Sequence, residues 1–196
     1  MAPGGGGGDE RERPKALTVE FGGITKDNVA QLRMINAACF PIQYAPGFYK
    51  DVAERKDSGL CKFAYCNGFV VGAACARVEP IPIPATDADA DADAGQGQGR
   101  GGGQRLYMMT LAVLAAYRDR GVGTALLRSV LDHFEEHKDE ARYAGVLEIA
   151  LHVQISNDDA LRFYTEGFGF EKGPMVENYY QRIDPPHCYV LSKKLR

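Results

Sequence analysis

The chain has 196 residues, 45% of them hydrophobic and 25% charged, with a formal net charge of −3 at pH 7. That length suits one domain with a real core and leaves little for a second. The slight acidity argues against non-specific nucleic-acid binding, and no apolar run approaches a membrane span or a signal-peptide core. Five cysteines (Cys39, Cys61, Cys66, Cys75 and Cys188) are scattered without C-x-x-C spacing. Such a set points to free thiols in a reducing compartment and away from structural zinc, so the expected address is cytoplasm or nucleus.

In chain order, residues 1–15 are Gly-rich and then charged, the composition of a disordered tail. Leu17, Val19 and Phe21 alternate as a first strand. Thr25 is placed as the N-cap of a helix burying Val29, Leu32, Ile35 and Cys39 and stopped by Pro41. A short helix is expected over 47–56. Strands over 61–65 and 69–78 meet at Asn67-Gly68, a hairpin signal. Residues 79–104 alternate Asp/Ala and then Gly/Gln, which reads as a low-complexity loop between strands.

A strand over 105–114 follows, then a helix over 122–137 with Val122, Leu126, Val130 and Phe134 on one stripe. Leu147, Ile149, Leu151 and Val153 alternate in the next strand. A helix over 157–167 buries Ala160, Leu161 and Tyr164, and two last strands are expected over 176–183 and 187–193. The order β-α-α-β-β-β-α-β-α-β-β describes a mixed α/β sheet, with parallel pairing where a helix separates two strands.

The stretch RDRGVGT, residues 118–124, joins a strand to a helix start. No Lys precedes Thr124, so it is not a Walker A loop, and Leu126 stands where a dinucleotide fingerprint needs its third glycine. What remains is R-x-x-G-x-G: Arg118, Gly121, Gly123, with Thr124 in the first helical turn. Glycines admit a ligand close to the backbone, and successive N–H groups at a helix start form an anion nest. Taken alone, the stretch is equally a plain glycine turn.

A second stretch changes the balance. HVQISN leads from strand to helix and is followed by NDDALRFYTEGFGF. Together the two motifs resemble the GNAT acetyltransferases, whose pyrophosphate loop is Q/R-x-x-G-x-G/A and whose next helix carries an Asn and a Tyr. The resemblance implies the GNAT fold: a mixed, mostly antiparallel sheet with flanking helices and a splayed central parallel strand pair. FPIQYAPGFYKDV, LYMMTLAVLAAYRDRGVGT, LHVQISN and NYYQRI are similar to NatE-type N-alpha-terminal acetyltransferases, over about residues 17–196 apart from the 79–104 insertion.

That resemblance implies acetyl transfer from acetyl-CoA to a Met-starting peptide, Met followed by an apolar residue, with no metal. Tyr107 and His152 would act as the general base, through ordered water. The coenzyme would be held by Leu111, Ala112 and Val113 of the splayed strand, by Arg118, Asp119, Arg120, Gly121, Val122, Gly123 and Thr124 of the turn, and by Asn157, Ala160 and Tyr164. Phe40, Pro41, Ile42 and Tyr44 would line a methionine pocket, with Met109, Tyr179, Tyr180 and Arg182 around the peptide backbone.

Independently of the family, the period of two puts Tyr107 and Met109 on one face of their strand, and His152 with Glu148 on the polar face of theirs. His133, His137 and His187 have nothing to recruit them as ligands, and Cys75 and Cys188 lack a paired His to make a nucleophile. Lysine ε-amino transfer on the same fold, or a non-catalytic scaffold-docked subunit, are the competing readings. An auxiliary scaffold and a sister catalytic subunit near ribosomes are the partners the family implies.

Overall fold

The computed structural model describes residues 15–55, 59–82 and 103–196. The expected tail and most of the 79–104 loop fall on residues 1–14 and 83–102, outside the described residues. The elements are β1 (Glu20–Gly23), α1 (Val29–Cys39), α2 (Pro46–Glu54), β2 (Cys61–Cys66), β3 (Phe69–Pro80) and β4 (Gln104–Val113). Then come α3 (Val122–His137), β5 (Val146–Gln154), α4 (Asp158–Phe168), β6 (Glu171–Val176) and β7 (Cys188–Lys194). The element order is the one the sequence predicts.

Among the described residues, one seven-stranded sheet, β1-β2-β3-β4-β5-β7-β6, divides two cores. Leu32 and Ile35 of α1 and Tyr49 and Val52 of α2 pack with Phe63, Ala73 and Cys75 on one face. On the other, Val122, Leu126, Val130 and Phe134 of α3 pack with Leu106, Ile149 and Leu191. β3 is therefore covered on both sides, which is why Ala73, Ala74, Cys75 and Ala76 are all fully buried and why the strand reads as an unbroken apolar run.

The hairpin at Asn67-Gly68 forms as expected, both residues taking positive φ (49° and 79°) as a type I′ turn demands. Gly72 is needed for another reason. A Cβ there would lie 2.8 Å from the Ala112 carbonyl oxygen of the neighbouring strand. Gly72→Ala is expected to destabilise the fold by about 1–3 kcal/mol, as overpacking does, measurable by denaturant unfolding.

Four expectations need correction. Asn28, not Thr25, takes the cap position of α1; Thr25 stands one turn earlier, where its Oγ1 accepts from Asp27 N–H at 3.3 Å and its own N–H donates to Asn28 Oδ1 at 2.7 Å. Leu17 and Val19 precede β1, and the Leu17 N–H goes to the Arg120 carbonyl at 3.0 Å. Leu147 is 45% exposed, because it lies at the open start of β5. The strand expected over 176–183 is instead β6, ending at Val176. Its Gly173-Pro174 break is tolerated because β6 is a sheet edge.

The boundaries of the insertion also move. Glu79 and Pro80 pair with Arg105 and Gln104, so the hairpin stem continues two residues past the expected strand end.

Candidate active site

Among the described residues, all strand pairs are antiparallel except β4 with β5, and that parallel pairing ends at Tyr107↔Ala150. Beyond it the two strands part. A β-bulge at the same level sets Cys75 opposite Thr110 and Ala76 opposite Met108, leaving Met109 as the extra residue. The result is a cleft of about 550 Å³ whose floor is Tyr107 to Leu111 on one side and Leu151 to Gln154 on the other.

The opened edge of β4 exposes main-chain donors. The Leu114 N–H turns back to the Val71 carbonyl at 3.0 Å, so by alternation Ala112 also faces β3. Leu111 and Val113 point the other way, and the Val113 carbonyl accepts from Arg118 Nε at 3.1 Å. Of the three strand residues expected to hold the coenzyme, Ala112 therefore offers no free N–H, because its backbone is committed to β3.

The RDRGVGT stretch forms the turn into α3. Asp119 and Gly121 take positive φ (59° and 80°), and Gly121 is the N-cap. The first helical bond runs from Ala125 N–H to the Gly121 carbonyl, so the N–H groups of Val122, Gly123 and Thr124 stand ahead of the ladder. Val122 itself is a core side chain, and a Cβ on Gly123 would meet the Phe163 ring at 3.6 Å. The Arg120 carbonyl holds the incoming chain at Leu17. None of the residues from Arg118 to Thr124 is among those that line the cleft itself.

Asn157 lines the cleft and caps α4, its Oδ1 accepting from Ala160 N–H at 3.1 Å. Ala160 and Tyr164 line the same wall. The donor set fits a pyrophosphate-bearing thioester: an open-ended helix start with a positive-φ glycine, beside a strand edge with free N–H groups.

At the centre, the Tyr107 hydroxyl lies 2.9 Å from His152 Nδ1. Burial above all, then hydrogen bonding to Tyr179, pushes the Tyr107 phenol above its ordinary range. It stays protonated, and the tautomer of the neutral ring sets which partner donates: the phenol to a bare Nδ1, or Nδ1–H to the phenol oxygen. Burial, and next the Arg105 charge, lower the His152 pKa below its ordinary 6.5, so the ring is neutral at pH 7. Tyr179 stacks on His152 with centroids 4.3 Å apart, and its hydroxyl makes a long 3.4 Å contact with that of Tyr107.

Phe40, Pro41, Ile42 and Tyr44 line one wall, as expected, and are joined by Phe48, whose ring lies 4.8 Å from Tyr44. Tyr179 and Tyr180 form the opposite wall from the loop between β6 and β7. That loop is pinned by Tyr180 N–H to the Pro186 carbonyl (2.8 Å) and by Gln154 Nε2 to the Pro185 carbonyl (2.9 Å). Burial raises the Tyr180 phenol to about 12.

Arg182 is exposed and does not line the cleft; Ile183 does. Sequence reasoning also missed Arg77 and Gln154 as lining residues, although Gln154 shares the face of His152 by period two. Cys75 and Cys188 are buried free thiols outside the lining. His133 bonds Tyr143 at 3.1 Å, and His187 accepts from Asn178 N–H. Among the described residues, no group of three or more His, Cys, Asp or Glu could hold a metal ion, and no helix is long and apolar enough to cross a membrane.

Comparison with known proteins agrees with this geometry. The model of the Acetyltransferase (GNAT) family matches residues 29–170. N-alpha-acetyltransferase 50 of Danio rerio is 42% identical over 179 residues, covering 91% of this chain and 89% of that protein. The probable N-acetyltransferase san of Drosophila melanogaster is 38% identical, covering 91% and 82%. Arabidopsis thaliana Naa50, solved in complex with the bisubstrate analogue CoA-Ac-MVNAL, is 36% identical with a TM-score of 0.69, covering 90% of this chain and 99% of that one. With three such relatives, a family match across most of the described chain and the splayed strand pair, this chain belongs to the GNAT acetyltransferases, in their NatE-type N-alpha-acetyltransferase branch.

Proposed function

We propose that this N-alpha-terminal acetyltransferase acts on Met-starting peptides, Met followed by an apolar residue, with Tyr107 and His152 as a relayed general base. The observation that carries the reading is the 2.9 Å contact between the Tyr107 hydroxyl and His152 Nδ1, placed inside a cleft walled on both sides by aromatic residues. The analogue solved with the Arabidopsis relative begins with Met followed by Val, which supports the choice of first residue.

Acetyl-CoA supplies the activated acetyl group when bound. The turn at Arg118–Thr124, with Asn157, Ala160 and Tyr164, holds the donor. The free N–H groups of Leu111 and Val113 offer donors for the acyl oxygen, where charge grows in the transition state. An α-ammonium has a pKa of about 8 and must lose a proton before it can attack. The Tyr107 hydroxyl receives that proton, through ordered water, as its own passes to Nδ1. A phenol held above its ordinary pKa cannot wait as a phenolate, so the two transfers are concerted. Phe40, Pro41, Ile42 and Tyr44 hold the methionine side chain, and Met109, Tyr179 and Tyr180 hold the peptide end.

Walls on both sides of the cleft favour a chain end over a lysine within a chain. Acetylation of Met-Leu-starting peptides compared with internal-lysine peptides tests the reading, and lysine acetylation without N-terminal activity would sink it. The pH dependence provides a second check. Because burial holds His152 below 6.5, its base form is present at neutral pH and is lost only on acidification past that lowered value. The acid limb of kcat is expected below pH 6.5 and should vanish in His152→Ala; a limb centred above 7 contradicts the assignment.

Docking to an auxiliary scaffold and a sister catalytic subunit near ribosomes, in the cytoplasm or nucleus, belongs to the same proposal. Co-purification of the tagged chain with ribosome-associated acetyltransferase subunits tests it. A monomeric elution profile with full activity and no such partners would remove that part alone.

A further inference from the structure

Behind the base pair, β3 and β4 set four side chains in a square. Arg77 lies opposite Tyr107, and Glu79 lies opposite Arg105. Glu79 Oε2 accepts from Arg77 Nε at 2.7 Å, and its Oε1 accepts from Arg105 Nε and Nη2 at 3.0 and 2.8 Å. Arg105 is only 8% exposed, and a charge so buried requires a partner. Both guanidiniums rest against the Tyr107 ring, 5.5 Å (Arg77) and 5.3 Å (Arg105) from its centroid. A single carboxylate thus holds both cations that flank the ring.

We infer that Glu79 is a positioning residue: it clamps Arg77 and Arg105 about the Tyr107 ring and so keeps the Tyr107 hydroxyl on His152 Nδ1. Glu79 does not line the cleft, so it acts through its neighbours and not on the reacting atoms. The inference rests on the proposed reading of Tyr107 and His152 as the base.

The clamp also sets the field at the imidazole. The titratable and charged groups on the elements around His152 are Arg105 and Tyr107 of β4, Arg77 and Glu79 of β3, Tyr179 and Tyr180 of the loop, Glu148 on its own strand, and Lys194 of β7 opposite Glu148. On β7, Val190 lies opposite, with Cys188 next on that face. Burial lowers the His152 pKa most, Arg105 lowers it further, and Glu79 opposes both. Without the Glu79 charge, Arg105 acts unopposed and the ring takes up its proton only at a lower pH.

The test is Glu79→Gln and Glu79→Asp in the full chain, read by steady-state kinetics and by the His152 titration in NMR spectra. Glu79→Gln keeps the shape and loses the charge. Its kcat is expected to fall about ten- to a hundredfold, the scale of a displaced catalytic group, with the KM for acetyl-CoA unchanged. Its His152 titration should move to lower pH. Glu79→Asp keeps the charge but is too short to span both guanidiniums, so turnover should fall while the titration stays near the wild-type pH.

A folded Glu79→Gln with wild-type turnover, or with reduced turnover and an unmoved titration, overturns the inference. If Glu79→Gln does not fold, wild-type turnover in Glu79→Asp overturns it. A wild-type chain that acetylates no N-terminus, with the titration still moved in Glu79→Gln, removes the proposed function and leaves the clamp standing.

Discussion

Replacing Tyr107 by Phe is expected to lower kcat on a Met-Leu peptide by about 10²- to 10⁴-fold, the usual contribution of a general base. The substitution removes one oxygen and leaves the ring between Arg77 and Arg105, so packing is kept. What is lost is the atom 2.9 Å from His152 Nδ1, through which the proposed relay passes the amine's proton to the imidazole. The KM for acetyl-CoA should hold, because the turn at Gly121 and the cap at Asn157 lie on other elements. His152→Ala should cost a similar amount, and the double variant little more, since residues that act as one unit are not additive. Steady-state kinetics of the two single variants and the double variant check this. Wild-type turnover in Tyr107→Phe, or fully multiplicative losses, would mean the two groups do not form one relay.

Phe40→Ala is expected to abolish most of the preference for a first methionine. Burying a Met side chain contributes about 1.5–3 kcal/mol, so discrimination against a Ser-starting peptide should fall by about ten- to 150-fold in kcat/KM. The effect should appear in the peptide KM, because the wall contacts the side chain equally before and during transfer. Phe40 is half-buried and meets Tyr44 edge-on at 5.8 Å, so the rest of the wall, carried by Ile42, Tyr44 and Phe48, stays in place. Ile42→Ala, also half-buried, should act in the same direction with a smaller loss. A peptide library scored for the first residue tests both variants. Unchanged methionine preference in a folded Phe40→Ala would move the pocket elsewhere.

Much of this was legible in the chain because the signals are local. The α3 stripe of Val122, Leu126, Val130 and Phe134 repeats at helical spacing, and all four are buried as expected. Asn67-Gly68 carries its own turn chemistry. The glycine turn into α3 was visible because a strand, two spaced glycines and a helix start are contiguous. The misses share a different cause. Thr25 has the capping chemistry expected of it, but a turn lies between it and α1, and the sequence does not separate that turn from the first helical turn. Tyr179 and Tyr180 were read into a strand because aromatic pairs favour strands. Here the Tyr180 N–H goes to Pro186, and the chain closes over the cleft instead.

The sequence by itself determined the order of elements, the buried stripe of α3 and the identity of the chemical groups, since periodicity, turn residues and side-chain chemistry act over a few neighbours. The tertiary structure alone decided where β4 leaves β5 and the bulge that makes Met109 an extra residue. It also decided which N–H groups are free: Leu111 and Val113 but not Ala112. The clamp of Glu79 on two arginines 2 and 26 residues away belongs with these. Each depends on strand register, and register is set by the packing of whole faces against two helical layers rather than by any short run of residues.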